Sequence, residues 1–297
     1  MRISIVTPSF NSARFLRETI ESVLNQAGDF HLEYHVQDGG SKDETIAILK
    51  EYDERAKRGE FDRLRRSTTF TWASEKDGGM YDAISRGMRR MSGEVAAWLN
   101  SDDVYLPGTL LIVSEVFSKL AEIRWLKGVT DYIDSSSRML GSGKCHLYDR
   151  QWIREGVFGI EGPFIQQDSV FWRRELWEAV GGIDPSYRLA GDYELWIRFA
   201  AQARLYSVNR RFSQFRQVEG QLSGSIETYR KEMARAFPGG RRGRPGLKVL
   251  YSLSSRLPRL ANFLYGLTER SSGLVQVDKA KGYAVVEARA VVYEVES

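Results

Sequence analysis

Three acidic clusters fall at the carboxyl ends of predicted strands, and each carries side chains that can do chemistry. They are Asp38-Gly39-Gly40, Asn100-Ser101-Asp102-Asp103 and Gly191-Asp192-Tyr193-Glu194. In open α/β sheets, ligands bind beyond the carboxyl ends of the strands. The sequence therefore predicts a ligand site at one edge of a sheet.

The first two clusters each have a chemical and a structural interpretation. Asp38 could accept hydrogen bonds from a base or ribose beside glycines that let a ligand approach, or it could belong to an ordinary Asp-Gly turn. Asp102 and Asp103 repel each other unless a cation offsets their charge, and their hard oxygens suit Mg²⁺ or Mn²⁺. The alternative for this pair is a polar turn before the helix that Pro107 opens.

The third cluster opens an aromatic-rich helix that contains Trp196 and Phe199. A carboxylate such as Asp192 in a partly apolar pocket can act as a general base. Asp is also a common N-cap residue, so helix capping is the alternative role. A substitution to Asn separates the two, because Asn caps as well as Asp but has no comparable basicity.

The elements that must position these clusters alternate between strand and helix over residues 1–105, which predicts an α/β sheet with crossover helices. Apolar residues between Met80 and Met91 recur at helical spacing. Ser41-Lys42-Asp43-Glu44 has the pattern of a capping box. The predicted strands are 2–7, 34–37, 95–99, 125–133 and 169–172, and the predicted helices start at Asn11 or Ser12, at Ser41, at Met80, at Pro107 and at Gly191.

The chain changes character beyond residue 224. Residues 238–245 form a basic linker with glycines and prolines, and six leucines between 250 and 267 then recur at helical spacing, interrupted by Pro258. Valines in the last 25 residues alternate as in a hairpin. We therefore predict one domain over 1–224 and an extension over 225–297.

The basic character of the chain belongs to this extension, since residues 230–259 carry nine Lys or Arg and one acid. A basic linker followed by an amphipathic helix suits an anionic membrane surface, here through 230–268, or a partner helix. A solvated tail with a helix that packs on the core is the alternative. Aromatic residues do not alternate with Arg241–Arg244, so no nucleic-acid partner is expected.

The composition excludes several classes of protein. With 42% hydrophobic residues in a chain of 297, a sizeable core can form and intrinsic disorder is not expected. Cys145 is the only cysteine, which excludes an intrachain disulfide and C-x-x-C metal sites. The N-terminus lacks the pattern of a secretory signal, and no stretch has the length of a membrane span. We therefore expect a cytoplasmic location, with peripheral binding at the inner face of the membrane if the basic segment acts there.

The clusters also resemble the motifs of family 2 glycosyltransferases with the GT-A fold. The matching segments are 5–11, 37–43, 75–79 and 98–103, followed by 166–176, 181–184 and 191–196. Each motif is weak alone, but their common order and spacing are specific. The resemblance covers residues 1–225 and implies a Rossmann-type mixed sheet flanked by helices, with a nucleotide-sugar half over 1–105 and an acceptor half over 106–224.

The resemblance implies a role for each matching residue. The donor is a nucleotide sugar, most often of uridine, and the acceptor is a saccharide or a lipid-linked saccharide. Asp192 matches the catalytic base of inverting members, and Asp102 and Asp103 match the motif that joins a divalent cation, Mn²⁺ or Mg²⁺, to the diphosphate. The nucleotide-binding residues so implied are Thr7, Pro8, Phe10, Asp38, Lys76, Arg86, Ser101 and Asp102.

Two positions depart from the family's pattern, and two other functions remain open. Asn100 stands where the family often has an acid, and Val218 stands where relatives often carry a histidine. A sugar nucleotidyltransferase usually has a Gly-rich basic loop after strand one, where this chain has Pro8-Ser9-Phe10-Asn11. The other alternative is a binding protein without catalysis.

Overall fold

The computed structural model describes residues 1–159, 164–218 and 226–237, and the strands 273–278, 282–287 and 292–293. The strands are β1 Arg2–Ser9, β2 His31–Asp38, β3 Ser67–Ser74, β4 Val95–Trp98, β5 Val104–Tyr105, β6 Trp125–Ile133, β7 Met139–Gly141, β8 Cys145–His146, β9 Val170–Arg173, β10 Leu205–Arg216, β11 Gly273–Asp278, β12 Gly282–Glu287 and β13 Val292–Tyr293. The helices are α1 Leu16–Leu24, α2 Thr45–Lys57, α3 Met80–Arg89, α4 Thr109–Lys119, α5 Arg150–Arg154, α6 Arg174–Ala179, α7 Gly191–Gln202 and α8 Ile226–Arg235.

One mixed sheet forms the centre of the fold, with the strand order β12-β11-β10-β6-β9-β4-β1-β2-β3. The strands β3, β2, β1 and β4 are mutually parallel. β9 is antiparallel to both β4 and β6, and β10 runs parallel to β6. The predicted α/β fold class, a Rossmann-type mixed sheet flanked by helices, is confirmed.

The central strands are apolar on both faces, as expected for parallel strands that are covered on both sides. Every residue of β1 beyond Arg2 and every residue of β4 is buried. The predicted apolar stripe of α3 packs inward through Ala83, Ile84 and Met88. A Cβ on Gly87 would lie 2.5 Å from Cγ1 of Val6, so the glycine lets α3 approach β1 closely.

Several tryptophans pack in the core between the sheet and α7, in keeping with the high average burial of tryptophan. Trp98 stacks on Trp196 with ring centroids 5.7 Å apart, and Trp172 meets both rings edge-on. Trp196 belongs to α7, so this cluster fixes the helix that carries Asp192 against β4 and β9. Packing of this kind sets the position of α7 relative to the sheet.

Three predicted helix starts are wrong. α4 starts at Thr109 and not at Pro107, because Gly108 at its N-cap is left-handed (φ +84°). The other two corrections lie beside the candidate site. α2 starts at Thr45 without a side-chain cap, because the Ser41 hydroxyl donates to the carboxylate of Asp38 instead of capping the helix. α1 starts at Leu16 without a side-chain cap, and the Ser12 hydroxyl bonds the Ser101 hydroxyl (2.8 Å) instead.

The sequence pattern also failed to predict two long strands. β3 is an edge strand in which only Phe70 is buried, so it has no apolar alternation. β10 has two register irregularities against β6, between Ser207 and Ser213, and such bulges break the period of two. Both strands are held by neighbours that sequence periodicity does not reveal.

The end of the chain is described in part. β11 and β12 pair antiparallel, which confirms the predicted hairpin, and β11 adds to the sheet beside β10. The predicted linker 238–245 and the leucine stripe 250–267 lie outside the described residues. None of the helices in the described ranges is long and apolar enough to cross a membrane.

Candidate active site

The carboxyl ends of four parallel strands meet at one edge of the sheet. Ser9, Asp38 and Ser74 are in register across β1, β2 and β3, and β4 ends beside them at Trp98. The loops that follow these strands carry the residues quoted above for the nucleotide and the metal. The topology therefore brings the first two acidic clusters to the same edge, as predicted.

The Asp38 carboxylate organises the loop that follows β2. Oδ2 accepts hydrogen bonds from the N–H groups of Gly40 (3.0 Å) and Ser41 (2.9 Å) and from the Ser74 hydroxyl (2.6 Å). Oδ1 accepts from the Ser41 hydroxyl, and the side chain is fully buried. Gly40 has a φ of +87°, a conformation that favours glycine. Asp38 thus ties its own loop to the end of β3.

Removing this carboxylate has a predictable cost. We expect Asp38→Ala to lower the free energy of unfolding by about 1–3 kcal/mol, since buried donors lose their acceptor. Affinity for a nucleoside diphosphate should fall with it. Urea unfolding measures the first effect and calorimetry the second, with Asp29→Ala as the control because Asp29 is an exposed acid paired with Arg66. An unchanged unfolding midpoint would contradict the structural role assigned to Asp38.

The three predicted nucleotide residues at the carboxyl end of β1 differ in exposure. The Thr7 side chain is fully buried and its hydroxyl bonds the Tyr34 hydroxyl at 3.0 Å. Pro8 is buried as well. Phe10 is 62% exposed, although it is a large apolar side chain. Of these three, Phe10 is the one whose ring faces solvent at the edge of the sheet.

Lys76 and Arg86 lie on the loop after β3 and on α3. Lys76 is exposed, and its carbonyl accepts a hydrogen bond from Arg86 Nη1 (3.2 Å). Arg86 also pairs with Asp82 (2.7 Å) and, more loosely, with Glu75 (3.7 Å). The Arg86 guanidinium therefore contacts the backbone of Lys76 and is paired with the nearby acids Asp82 and Glu75.

The acidic cluster after β4 divides into an inner and an outer carboxylate. Asp103 is fully buried, with Oδ1 bonded to the N–H of Arg216 (2.9 Å) and Oδ2 to the amide of Asn100 (3.4 Å). Burial, and then the nearby carboxylates of Asp102 and Asp168, hold the pKa of Asp103 well above its usual range. Asp102 and Ser101 are half-buried, and the Ser101 hydroxyl bonds that of Ser12 (2.8 Å).

Arg216 holds this cluster from behind. Its side chain is fully buried, and Nε donates to the Asp102 carbonyl (2.8 Å) while Nη2 pairs with Glu18 (2.5 Å). The guanidinium also lies 4.6 Å from the centre of the Phe15 ring. Through its backbone and side chain, Arg216 fixes both Asp102 and Asp103.

Asp192 is the second residue of α7 and is not its N-cap, which is Ala190. Oδ1 lies 3.3 Å from the Tyr229 hydroxyl and 3.4 Å from the Tyr81 hydroxyl, and it accepts the N–H of Tyr193 (2.8 Å). Burial raises the pKa of Asp192 to about 6, although these three hydrogen bonds lower it. The carboxylate is therefore mostly ionised at neutral pH but close to the range in which it exchanges protons.

Sequence reasoning missed several residues that shape the site. Tyr81, Tyr229 and Arg216 belong to segments whose apolar or charged pattern carries no sign of such a role. Arg216 lies two residues before Val218, but the burial of an arginine cannot be inferred from its spacing to other residues. Within the described ranges, no group of three or more His, Cys, Asp or Glu side chains forms a ready-made metal site.

Comparison with known proteins finds similarity to glycosyltransferases. The model of glycosyl transferase family 2 matches residues 4–123, which contain β1 to β4 and the first two acidic clusters. A relative in Rickettsia prowazekii, named an uncharacterized glycosyltransferase, is 26% identical over 77% of this chain and 73% of its own length. A relative in Mycobacterium tuberculosis with the same description is 27% identical over 67% of this chain and 68% of its own length.

Solved structures agree with this fold. S. aureus TarS 1–349 in complex with UDP-GlcNAc superposes with a TM-score of 0.59 at 16% identity, over 91% of this chain and 74% of that one. The mannosyltransferase PcManGT from Pyrobaculum calidifontis, in complex with GDP-Man and Mn²⁺, gives 0.55 at 17% identity, over 90% and 75%. The order of motifs, the sheet and these relatives converge: residues 4–123 match glycosyl transferase family 2, and the chain is a glycosyltransferase with the GT-A fold.

Proposed function

We propose that this glycosyltransferase transfers a sugar from a nucleotide sugar, most simply a UDP-sugar, to a hydroxyl of a saccharide or lipid-linked acceptor, with inversion at the anomeric carbon. The observation that carries the proposal is Asp192, a buried carboxylate with a pKa of about 6. It starts α7, which is anchored to the sheet by the tryptophan cluster. A general base works best when its pKa lies near the working pH.

The reaction needs one proton acceptor and a stabilised leaving group. Asp192 takes the proton of the acceptor hydroxyl as that oxygen bonds to the anomeric carbon. The bond between this carbon and the diphosphate oxygen breaks on the opposite face, so the configuration inverts. The nucleoside diphosphate leaves with the electron pair, and the proton remains on Asp192 until solvent removes it.

The donor would lie across the carboxyl edge of the sheet. The exposed ring of Phe10 suits stacking against the base, and Ser101 and Asp102 suit the ribose and diphosphate. Lys76 and Arg86 would face the diphosphate or the sugar. Thr7, Pro8 and Asp38 have buried side chains. They would act indirectly, by holding the loops that contact the nucleotide.

A divalent cation fits the residues after β4. Among the described residues, Oδ1 of Asn100 is buried without a hydrogen-bond partner, and Asp102, two residues on, has a half-buried side chain. Hard cations that bind nucleotides often take only one or two carboxylates from the protein, with phosphate oxygens completing the shell. Asp102, with Asn100, would hold Mn²⁺ or Mg²⁺, and Asp103 would support them from the interior. When bound, the ion neutralises charge on the departing diphosphate.

The donor class can be tested without knowledge of the acceptor. We expect one group of nucleotide sugars among UDP-, GDP- and dTDP-sugars to raise the melting temperature, and Mn²⁺ to increase the shift. A ligand that binds only the folded state must stabilise it, by about 2.7 kcal/mol at a hundred times its dissociation constant. Absence of any shift across the panel, with and without Mn²⁺, would contradict nucleotide-sugar binding.

We further propose that the basic segment 230–268 holds the enzyme at an anionic membrane surface on the cytoplasmic side. Each Lys or Arg near such a surface contributes about 1 kcal/mol. Truncation after Gly224 is an unsuitable test, because it also removes α8 and β11 from the folded structure. Point substitutions in the linker avoid this.

We expect replacement of Arg241, Arg242 and Arg244 by Gln to weaken binding to phosphatidylserine vesicles at low salt by at least about tenfold. A variant with Lys50, Lys57 and Arg58 changed to Gln loses the same charge from exposed positions on and beside α2 and serves as the control. Vesicle sedimentation measures both. Equal binding by the two variants would contradict the membrane role and favour a solvated tail.

A further inference from the structure

α8 lies beyond the predicted domain boundary at 224 and contacts the backbone and the side chain of the candidate base. Oε2 of Glu232 accepts from the N–H groups of Leu189 and Ala190 (both 2.8 Å), and Oε1 accepts from that of Arg188 (2.9 Å). One turn earlier on the helix, the Tyr229 hydroxyl lies 3.3 Å from Oδ1 of Asp192. The helix therefore bonds to the three residues that precede α7 and to the carboxylate itself.

A third contact fastens the end of α8 to the same segment. The Arg235 guanidinium lies 3.9 Å from the centre of the Tyr187 ring and pairs with Asp184 at 3.4 Å. Residues 184–190 are thus held along their length by one helix. Tyr81 of α3 adds a further hydrogen bond to this segment, at the Leu189 carbonyl (2.8 Å).

The chemistry of these contacts suits positioning. The N–H groups of Arg188, Leu189 and Ala190 lie just before the first residue of α7, and the two carboxylate oxygens of Glu232 accept all three of them. Hydrogen bonds to an ionised carboxylate are about twice as strong as neutral ones. A negative charge at the N-terminus of a twelve-residue helix is also stabilised by the helix dipole.

We propose that Glu232 and Tyr229 of α8 are positioning residues for Asp192: Glu232 fixes the backbone that leads to it, and Tyr229 orients its carboxylate. The inference rests on the proposed role of Asp192 as the base. The groups that face the carboxylate are the Tyr229 hydroxyl from α8, the Tyr81 hydroxyl from α3 and the N–H of Tyr193 in α7 itself. Tyr81 also bonds the Leu189 carbonyl at 2.8 Å, which leaves Tyr229 as the hydroxyl directed at Asp192 alone.

The first test needs no substrate. In the full chain labelled with ¹³C at the Asp carboxyl carbons, the signal of Asp192 is assigned by its loss in Asp192→Asn and titrated by NMR. We expect Tyr229→Phe to raise the pKa of Asp192 by about 0.5–1 unit, because the ionised form loses a hydrogen-bond donor. Hydrogen exchange should speed up at the amides of 188–190 in Glu232→Gln, since the uncharged side chain keeps only one acceptor oxygen.

The second test measures release of UDP from UDP-sugars. In Tyr229→Phe we expect the acid limb of the pH profile of kcat to shift to higher pH. In Glu232→Gln we expect kcat to fall about tenfold while KM for the donor stays the same. Glu227→Gln on the same helix is the control, since Glu227 is exposed and pairs only with Lys231 among the contacts described. A purely stabilising α8 would lower the melting temperature without moving the pH profile or the Asp192 titration.

The outcomes separate this inference from the function on which it rests. Unchanged titration in Tyr229→Phe together with unchanged amide exchange in Glu232→Gln would overturn the inference, whatever the activity. If those readouts move as expected but Asp192→Asn retains turnover, the positioning stands and the role of Asp192 as the base fails. A shift in titration together with the loss of kcat supports both.

Discussion

Asp192→Asn should reduce turnover by about 10²–10⁴-fold, the usual contribution of a general base. The three hydrogen bonds to the carboxylate all converge on Oδ1, and the amide oxygen of Asn can accept each of them. The variant therefore keeps the shape and the contacts of the site and loses only its basicity. Affinity for the donor should be nearly unchanged, because Asp192 acts on the acceptor.

The same variant should be at least as stable as the wild type at pH 7–8. The pKa of Asp192 is raised from 3.8 to about 6, so the folded state keeps a proton that the unfolded state has lost between those values. Stability therefore falls as the pH rises from about 4 to about 6, by roughly 3 kcal/mol for a shift of this size. An Asn side chain does not ionise and so carries no such cost. The melting temperature of the Asp192→Asn variant should therefore exceed that of the wild type above pH 6.

The wild-type pH profile follows from the same pKa. Turnover should rise as the pH increases through about 6, because only the ionised carboxylate accepts a proton. Glu194→Gln is the matched control, since Glu194 lies in the same first turn of α7 but pairs with Arg198 at 2.6 Å. Near-normal turnover in Asp192→Asn, or an equal loss in Glu194→Gln, would contradict the assignment of the base.

Removal of divalent cations should abolish transfer. We expect EDTA to stop turnover and Mn²⁺ or Mg²⁺ to restore it, because the departing diphosphate needs charge neutralisation. Full activity in chelator would mean that Lys76 and Arg86 neutralise the diphosphate without a metal ion. A coupled assay for the released nucleoside diphosphate measures this, after gel filtration in EDTA.

The two adjacent acids should respond differently. Asp102→Asn should weaken binding of Mn²⁺ in the presence of UDP by about tenfold or more, as measured by calorimetry. Asp103→Asn should act mainly on stability, because Asp103 is buried and bonded to the backbone of Arg216. If Asp103→Asn weakened Mn²⁺ binding more than Asp102→Asn did, Asp103 and not Asp102 would be the metal ligand.

Much of this site could be predicted from local patterns. The apolar runs of β1, β4 and β6 and the stripe of α3 predicted a parallel sheet, and a parallel sheet gathers its carboxyl ends at one edge. The acids that follow β2 and β4 were therefore placed correctly in space. The environment of each carboxylate could not be predicted, because it depends on residues far away in sequence.

Asp38, Asp103 and Asp192 illustrate the difference. Asp38 is hydrogen-bonded to Ser74 at the end of the neighbouring strand β3. Asp103 is bonded to the backbone N–H of Arg216, and Asp192 to the hydroxyl of Tyr229. β3 and β10, which supply the first two partners, lack apolar alternation, and α8 lies in a segment that reads as the start of a basic tail. Tertiary contacts alone decide which acid is buried, which is satisfied and which is poised to take a proton.

A crystal structure of the full chain with Mn²⁺ and the nucleotide sugar that stabilises it most would test the central claim most directly. We expect the diphosphate and the metal ion beside Asp102, the nucleotide base near Phe10, and the anomeric carbon facing the open side of the Asp192 carboxylate. A donor bound away from the carboxyl edge of the sheet, or protein atoms between its anomeric carbon and Asp192, would contradict the account.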